Sequence, residues 1–270
     1  MVFAVIGGDI RSVYLTRMLR DAGHEVRTFA LEKALDGCGE SVGDVCAGAD
    51  GVILPMPCQM GEKLNAPLSG SEHCVYDILR QVPRGTAVFA GKTEGGVAEA
   101  CRRMDLKLFD YLKREELALD NAHLTAEGAL GLLLQSPRAL RGSRILIAGF
   151  GRIGRALAAK LVPLGAEVTV AARSAADRAL ARNMGCRAVK IAGCAGNWDA
   201  VVNTVPRQLF GREEMASFGG ARLIELASAP YGFDMSAGFD VTIASGLPGK
   251  TSPESGAKAI MDTIINIMEE

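Results

Sequence analysis

Short apolar runs alternate with segments of helical periodicity along the first part of the chain. The runs predict buried strands at residues 2–6, 25–30, 51–54, 86–90 and 106–110. After the first run, the apolar positions follow helical spacing from Ile10 to Leu19, and Gly23 ends the helix. Because strands that alternate with helices form parallel sheets, this pattern predicts a small parallel α/β domain.

The same alternation returns in the second part of the chain. Apolar runs predict strands at residues 145–148, 186–191, 199–205, 222–227 and 239–244. A further strand is predicted in the apolar run that ends at Arg173. Six parallel strands are the complement of a Rossmann fold. The predicted fold class is therefore α/β, with two parallel-sheet domains, the second a six-stranded Rossmann fold.

The domain boundary is expected near residue 122. We assign residues 1–122 to a flavodoxin-like, substrate-side domain, and residues 123–270 to an interdomain helix followed by the Rossmann domain. The interdomain helix is predicted at residues 121–135, where a polar start gives way to an apolar helix. A final helix at 253–270 carries an apolar stripe, so we expect it to pack back on the first domain or to form a contact between subunits.

Three glycines follow the strand at 145–148 in the order G-x-G-x-x-G. Gly149 suits a tight turn, Gly151 allows close approach of a pyrophosphate, and Gly154 allows close packing of helix on strand. The helix that starts at Arg152 and Ile153 would direct its free N–H groups at the phosphates. The alternative is a strand–helix–strand unit whose glycines serve only packing. The placement between two strands favours dinucleotide binding.

The end of the next strand indicates which dinucleotide is bound. An NAD site usually has Asp or Glu there, which accepts hydrogen bonds from the ribose 2′-hydroxyl. This chain has Ala172, Arg173 and Ser174 instead. Arg173 can form charge-assisted hydrogen bonds to a 2′-phosphate, and Ser174 can donate a further one. We therefore predict NADP(H) as cofactor, the alternative being a solvated arginine at a strand end.

Three later strands end in short polar or glycine-rich turns at the carboxyl edge of the sheet, which is where the nicotinamide half of the cofactor is expected. Their alternative role is ordinary loop structure. The cofactor-binding residues predicted in these turns are Asn203, Thr204, Val205, Pro206, Ala227, Pro248 and Gly249.

A second strand–glycine–helix unit at the start of the chain lacks the third glycine, so a second nucleotide site is not expected. Gly8, Asp9 and Arg11 lie at its helix start, where N–H groups and a guanidinium could hold a carboxylate. Equally, Asp9 could cap the helix and Arg11 could be solvated. Lys92 follows another strand end and could steer or protonate an anionic substrate, although a lysine after a glycine is commonly an exposed turn residue.

Candidates for proton transfer lie at the predicted start of the interdomain helix. His123 is the histidine best suited to acid–base chemistry, because its unperturbed pKa is close to neutrality. Thr125 and Glu127 follow near the first turn, where the helix dipole favours a carboxylate. The alternatives are a structural histidine and simple capping.

Composition excludes several classes of function. A net charge of −1 and 5% aromatic residues argue against nucleic-acid binding. The seven cysteines are odd in number and form no C-x-x-C pair, so we expect reduced, mostly buried thiols and no metal site. Cys46 and Cys58 flank a possible site, and burial is favoured over reactivity. The apolar run at the N-terminus is too short for a signal peptide or membrane span, which predicts a cytoplasmic protein.

Taken together, these motifs resemble the family of dipicolinate synthase A-subunits nearly end to end. The resemblance is carried by Gly7-Gly8-Asp9 with Arg11, Asn121 with 125–129, the glycine triplet at 149–154, residues 203–206 and 226–228 with Gly232, and 246–250 with Ser252-Pro253. The two-domain plan also resembles, more distantly, alanine and 2-hydroxyacid dehydrogenases. Glu225 and residues 231–234 depart from the family pattern, which affects substrate positioning and not the fold.

The resemblance implies an oxidoreductase of sporulation that uses an NADP-type cofactor and works with a flavoprotein-like B-subunit in the mother-cell cytoplasm. Its substrate would be dihydrodipicolinate or a hydroxytetrahydro precursor, and its product dipicolinic acid. Of the two carboxylates, one is assigned to Arg11 with Gly8 and Asp9, the other to Thr125, Lys92 or Ser228. The proton could go to water, His123 or Glu127. The sequence also allows a homo-oligomer. The alternative functions are another NADP-dependent dehydrogenase of an amino or hydroxy acid, and a non-catalytic nucleotide-binding subunit.

Overall fold

The computed structural model describes residues 1–93 and 95–270. The chain divides into two compact units, Met1–Asn121 with Ser252–Glu270, and Ala122–Thr251. Among the described residues, the first unit contains a five-stranded parallel sheet and the second a six-stranded parallel sheet. This confirms the predicted α/β fold class with two parallel sheets.

The first unit has strand order β2-β1-β3-β6-β7, with a separate two-stranded antiparallel hairpin, β4-β5. Its strands are β1 (Val2–Ile6), β2 (Glu25–Phe29), β3 (Gly51–Ile53), β4 (Gln59–Met60), β5 (Lys63–Leu64), β6 (Ala87–Ala90) and β7 (Lys107–Asp110). Its helices are α1 (Ile10–Asp21), α2 (Val42–Cys46), α3 (Val75–Gln81) and α4 (Val97–Arg103), and a 3-10 turn covers Tyr111–Lys113.

The next helix, α5 (Glu115–Leu134), contains the boundary between the two units. It begins earlier than the predicted 121–135, because residues 115–120 continue the helical pattern and place Glu115 and Glu116 in the first turn. Carboxylates are favoured there by the helix dipole. Residues near 125, predicted to lie at a helix start, therefore lie in the middle of a helix.

The second unit has strand order β10-β9-β8-β11-β12-β13, which is the 3-2-1-4-5-6 order of a Rossmann fold. Its strands are β8 (Arg144–Ala148), β9 (Glu167–Ala171), β10 (Arg187–Val189), β11 (Ala200–Asn203), β12 (Arg222–Glu225) and β13 (Val241–Ile243). Its helices are α6 (Arg152–Leu161), α7 (Ala175–Asn183), α8 (Arg212–Ala216) and α9 (Leu247–Thr251), with a 3-10 turn at Ile191–Gly193. The strand order reverses between β8 and β11, and ligands of such sheets bind at this switch point.

The final helix, α10 (Pro253–Glu269), belongs to the first unit. Its apolar stripe, which includes Ala257, Ile260 and Ile264, is buried in one cluster with Phe3 and Val5 of β1 and with Leu15 and Leu19 of α1. Alternate residues of β1, Ala4 and Ile6, enter the cluster on the opposite face of the sheet. The sheet is thus covered on both faces, as parallel sheets require.

Candidate dinucleotide site

A cleft of about 820 Å³ lies at the carboxyl edge of the second sheet. It is formed where β8, β9 and β11 end, at the switch point of the strand order. Its lining residues are Gly149, Phe150, Ala171, Ala172, Arg173, Ser174, Asp177, Ile191, Ala192, Val205, Arg207, Gln208 and Leu209. Gly149, Arg173, Ser174 and Val205, which were predicted from separate motifs, are therefore brought together around one cavity.

The three glycines occupy different surroundings. Gly149 has a φ of +95°, and a Cβ there would lie 2.5 Å from Thr204 Oγ1. A Cβ on Gly154 would overlap the carbonyl oxygen of Gly149, so this glycine lets α6 start directly against β8. A Cβ on Gly151 would meet no described atom within 4 Å. Gly149 and Gly154 are thus required by packing, whereas Gly151 borders open space.

The start of α6 faces that open space. Gly151 is the N-cap residue, and no side chain of the described residues caps the helix. Helix N-termini bind anions through their N–H groups and the positive end of the dipole. The glycine surroundings and the bare helix start therefore fit the pyrophosphate of a dinucleotide.

The end of the cleft beside β9 is basic. Arg173 follows β9 with an exposed side chain, and no ion pair within the described residues involves it. Ser174 caps α7 by accepting a hydrogen bond from the Asp177 N–H at 3.3 Å. Arg178 donates to the carbonyl oxygens of Ala172 and Arg173 at 2.8 and 2.6 Å, which fixes the backbone that carries Arg173.

A carboxylate does line this cleft, but it is paired. Asp177 accepts from Arg155 at 2.8 Å, and Arg155 also donates to the Phe150 carbonyl at 2.9 Å. The sequence prediction did not include Asp177, because it considered only the residues directly after β9. It also omitted Arg207, which lies next to the predicted residues 203–206 and could have been included with them.

The turns predicted for the nicotinamide half have more varied roles. The Asn203 side chain is fully buried and bonds to Glu225 and to Val205, so its amide faces the protein interior. Thr204 Oγ1 donates to the Ala148 carbonyl at 2.9 Å. Pro206 is exposed, while Ala227 is buried behind exposed Ser228.

Pro248 and Gly249 lie in α9 and not in an open loop, and Pro248 is buried. The predicted loop was wrong here, because one helical turn, closed by a 2.9 Å bond from Thr251 Oγ1 to the Leu247 carbonyl, continues past these residues. Of the turns predicted for the nicotinamide half, residues 203–206 and 227–228 remain at the edge of the sheet.

The predicted carboxylate site at the start of α1 is already occupied by protein groups. The Gly8 N–H donates to the Asn65 carbonyl at 2.9 Å, and Asp9 caps α1 by accepting from the Arg11 N–H at 3.0 Å. The Arg11 guanidinium donates to both oxygens of Asp9 and to the Met56 carbonyl at 2.6 Å. The cavity beside these residues measures about 10 Å³. Gly8 and Asp9 therefore have structural roles, whereas the sequence prediction assigned them to substrate binding.

The proton-transfer candidates lie in surroundings that differ from those predicted. His123 is exposed on α5, and Thr125 is buried in the middle of this helix. Glu127 is exposed and paired with Lys160 of α6 at 3.0 Å. Lys92 is exposed in the first unit with a φ of +54°, and its N–H donates to Asp110. Glu127 thus has a surface ion pair where the prediction placed a helix-terminal carboxylate.

The cysteines are free, and five of the seven are buried. Burial raises the pKa of Cys46 to about 11 and that of Cys58 to about 12. Both side chains are fully buried, which confirms the expected burial, and the raised pKa values disfavour the reactive thiolate at neutral pH. Among the described residues, no group of three or more His, Cys, Asp or Glu side chains is arranged to hold a metal ion. Across the same residues, no helix is both long and apolar enough to cross a membrane.

Each of the two units contains a segment that matches a known protein family. Residues 2–112 match the family described as the N-terminal domain of the dipicolinate synthase A-subunit. Residues 126–229 match the NAD binding domain of D-isomer specific 2-hydroxyacid dehydrogenases. The chain is 26% identical over 285 residues to the dipicolinate synthase A-subunit of Bacillus subtilis (strain 168), covering 99% of this chain and 95% of that protein.

Solved structures agree on the fold. The dipicolinate synthase A-subunit from Bacillus halodurans superposes with a TM-score of 0.87 at 23% identity, over 100% of this chain and 98% of the other. The corresponding structure from Bacillus subtilis gives a TM-score of 0.86 at 24% identity, over 100% and 96%. These comparisons confirm the resemblance to dipicolinate synthase A-subunits. They support a dehydrogenase-like chain with a domain for a nicotinamide dinucleotide.

Proposed function

We propose that this protein is an NADP(H)-dependent oxidoreductase that acts as the A-subunit of a dipicolinate synthase. It would oxidise dihydrodipicolinate, or its hydroxytetrahydro precursor, to dipicolinic acid. The observation that carries the proposal is the cleft at the end of β8 and β9, where a bare helix start meets a basic strand end. The similarity along the whole chain to the Bacillus subtilis A-subunit supports the choice of substrate.

The charges in the cleft favour NADP(H) over NAD(H). Arg173 and Arg207 both line it, and the carboxylate that lines it, on Asp177, is neutralised by Arg155. A 2′-phosphate carries a charge that a ribose hydroxyl does not, so the basic side chain of Arg173, at the end of β9, stabilises it selectively. Ser174 can still donate its hydroxyl proton while its oxygen caps α7.

Replacement of Arg173 tests the cofactor. Arg173→Ala should weaken NADPH binding about 10- to 100-fold, because charge-assisted hydrogen bonds contribute about 1.5–3 kcal/mol. NADH binding should change little. Arg182→Ala is the matched control, since Arg182 lies exposed in the last turn of α7 and does not line the cleft. Titration of all three proteins with both cofactors, followed by cofactor fluorescence, gives the answer; an equal loss for NADPH and NADH would refute NADP specificity.

The reaction requires removal of a hydride and a proton from a dihydropyridine dicarboxylate. When bound, the nicotinamide accepts the hydride at C4, so dihydrodipicolinate and NADP⁺ give dipicolinate, NADPH and a proton. Orientation then contributes more than a tuned base, because aromatisation makes the step favourable. Exposed His123 is a proposed proton acceptor; Glu127 would first have to leave Lys160.

Two carboxylates of the substrate need cationic or N–H partners. For one of them the proposed ligand is exposed Lys92, exposed Ser228 or buried Thr125, as alternatives. Arg11 is the proposed ligand for the other, and its binding requires the pair with Asp9 to rearrange. Arg11→Ala should raise the KM for the substrate; unchanged KM and turnover would exclude this assignment.

The assay that separates the alternatives uses purified chain with dihydrodipicolinate and NADP⁺, with and without a flavoprotein-like B-subunit. NADPH formation in either case supports the proposal. Turnover of amino or hydroxy acids alone would indicate another NADP-dependent dehydrogenase. Binding of NADPH without turnover of any substrate would indicate a nucleotide-binding subunit. The proposal also places the protein in the cytoplasm of a sporulating mother cell, where dipicolinate would be made.

A further inference from the structure

The carboxyl group of Glu225 is fully buried at the end of β12, between β11 and β13. Oε1 accepts from Asn203 Nδ2 at 2.6 Å and from the Ala227 N–H at 2.9 Å. Oε2 accepts from the N–H groups of Gly232 and Phe233 at 2.8 and 3.4 Å. All four of these partners are neutral N–H donors, so each oxygen is used as an acceptor twice.

Burial raises the pKa of this carboxyl, and the four hydrogen bonds oppose that effect. A protonated carboxyl would direct an O–H at an N–H group, since each of the four partners is a donor. The arrangement therefore suits the carboxylate form.

The same residues connect two turns at the sheet edge. Asn203 Nδ2 also donates to the Val205 carbonyl at 2.9 Å, and its Oδ1 accepts from the Val205 N–H at 3.2 Å. The Gly232 carbonyl accepts from the N–H groups of Leu209 and Phe210 at 2.8 and 3.0 Å. The hydrogen bonds of Glu225, Asn203 and Gly232 thus connect residues 203–210 to residues 226–233.

Gly232 passes directly over the Asn203 side chain. A Cβ at Gly232 would overlap Asn203 Nδ2, so the loop cannot carry a larger residue there without moving. The close contact ties the segment that follows Ser228 to the Asn203 side chain. Small displacements of Glu225 should therefore be transmitted to both turns.

We infer that Glu225 is a positioning residue for the nicotinamide half of the cofactor, acting through the turns at 203–206 and 226–233. The inference rests on the proposed function, because these turns follow β11 and β12, on the other side of the switch point from β9, whose end carries Arg173 and Ser174. The adenosine half is held by residues after β8 and β9, and none of the four hydrogen bonds of Glu225 reaches them.

The test compares the binding affinity of NADPH with that of 2′,5′-ADP, a fragment of the cofactor. In Glu225→Gln, the amide NH₂ must face two N–H donors whichever way the side chain is turned, so the turns should separate. NADPH affinity should fall about tenfold or more, whereas 2′,5′-ADP, which carries only the adenosine half, should bind within about twofold of the unmutated chain. Glu225→Asp, which keeps the charge, should restore part of the NADPH affinity. Glu213→Gln removes an equivalent charge from exposed α8 and should change neither ligand.

A merely structural role would lower the melting temperature without separating the two ligands. Equal NADPH affinity in Glu225→Gln and the unmutated chain, or equal losses for NADPH and 2′,5′-ADP, would overturn the inference. If Glu225→Gln does not fold, Asn203→Ala decides by the same comparison, because it removes one of the four donors. Failure of the unmutated chain to bind either ligand would overturn the proposed function itself and the inference with it.

Discussion

Gly151 allows the dinucleotide site to be tested without disturbing the fold. A methyl group added there meets no described atom within 4 Å, and the φ of −76° suits alanine. Replacing an N-cap glycine by alanine destabilises the helix by about 1 kcal/mol. Because alanine restricts the unfolded chain more than glycine does, the same change stabilises the folded state by about 0.4–1 kcal/mol. The free energy of unfolding of Gly151→Ala should therefore stay within about 1 kcal/mol of the unmutated value.

Cofactor binding should respond much more strongly. In the proposed site the pyrophosphate approaches the start of α6 through the open space beside Gly151, and a methyl group there would keep it away from the N–H groups. Loss of two charge-assisted hydrogen bonds, reduced by partial adjustment, amounts to roughly 3 kcal/mol, which is about a hundredfold in affinity. NADPH titration by fluorescence together with urea unfolding measures both quantities.

Gly154→Ala provides the contrasting variant. Its Cβ would overlap the backbone oxygen of Gly149, which cannot move as a side chain can. Overpacking of this kind costs about 1–3 kcal/mol, so this variant should lose stability and binding together. If Gly151→Ala binds NADPH as the unmutated chain does, the pyrophosphate does not lie against α6 and our assignment of the cleft is wrong.

Single residues elsewhere in the chain support three more predictions. Hydrogen bonding by the Arg144 N–H holds the pKa of Asp199 below its usual value. Asp199→Asn should therefore lower the free energy of unfolding by about 1–2 kcal/mol at pH 7. This difference between variant and unmutated protein should disappear as the pH falls below about 4, because the unmutated carboxylate then takes up its proton. An equal difference at low and neutral pH would contradict this. Gly131→Ala, exposed within α5 with no described atom in reach of the methyl group, should raise the free energy of unfolding by about 0.5–1 kcal/mol in the same assay. In native protein only Cys38 and Cys74, the partly exposed thiols, should react rapidly with Ellman's reagent at about pH 8, near the usual thiol pKa, and rapid reaction of more than two would show that the buried thiols are accessible.

Most of the fold could be predicted because its determinants are local. Each of the strands expected from an apolar run is present, with ends shifted by a few residues, since the last residues of a run often leave the sheet. The β4-β5 hairpin was missed because residues 59–64 show no alternation of apolar and polar side chains. The start of α5 was missed because residues 115–120, three of which are acidic, were not included in the predicted helix.

The geometry of the dinucleotide cleft was more predictable than the surroundings of the proposed substrate ligands, for a physical reason. Gly149, Gly151 and Gly154 act on their own turn and helix, so their spacing carries the information. The role of Asn203 depends on Glu225, which lies 22 residues later, and on the loop that then returns to both side chains, which spacing cannot express. The departure of Glu225 from the family pattern drew attention to this position in the sequence. What the glutamate does there could be inferred only from its hydrogen bonds in the structure.

The two strand–glycine–helix units differ in whether protein groups occupy the N–H groups of their helix starts. Counted from the first glycine, Asp9 stands where the second unit has Gly151, and Ser12 stands where it has Gly154. An aspartate at the N-cap uses the helix N–H groups itself and repels a phosphate by its charge, which leaves Arg11 as its partner. The Asn65 carbonyl then takes the Gly8 N–H from a segment more than fifty residues away. The aspartate alone could have indicated that the N–H groups of the first helix start are used within the protein, so the residue at the position of the second glycine carries as much information as the glycines.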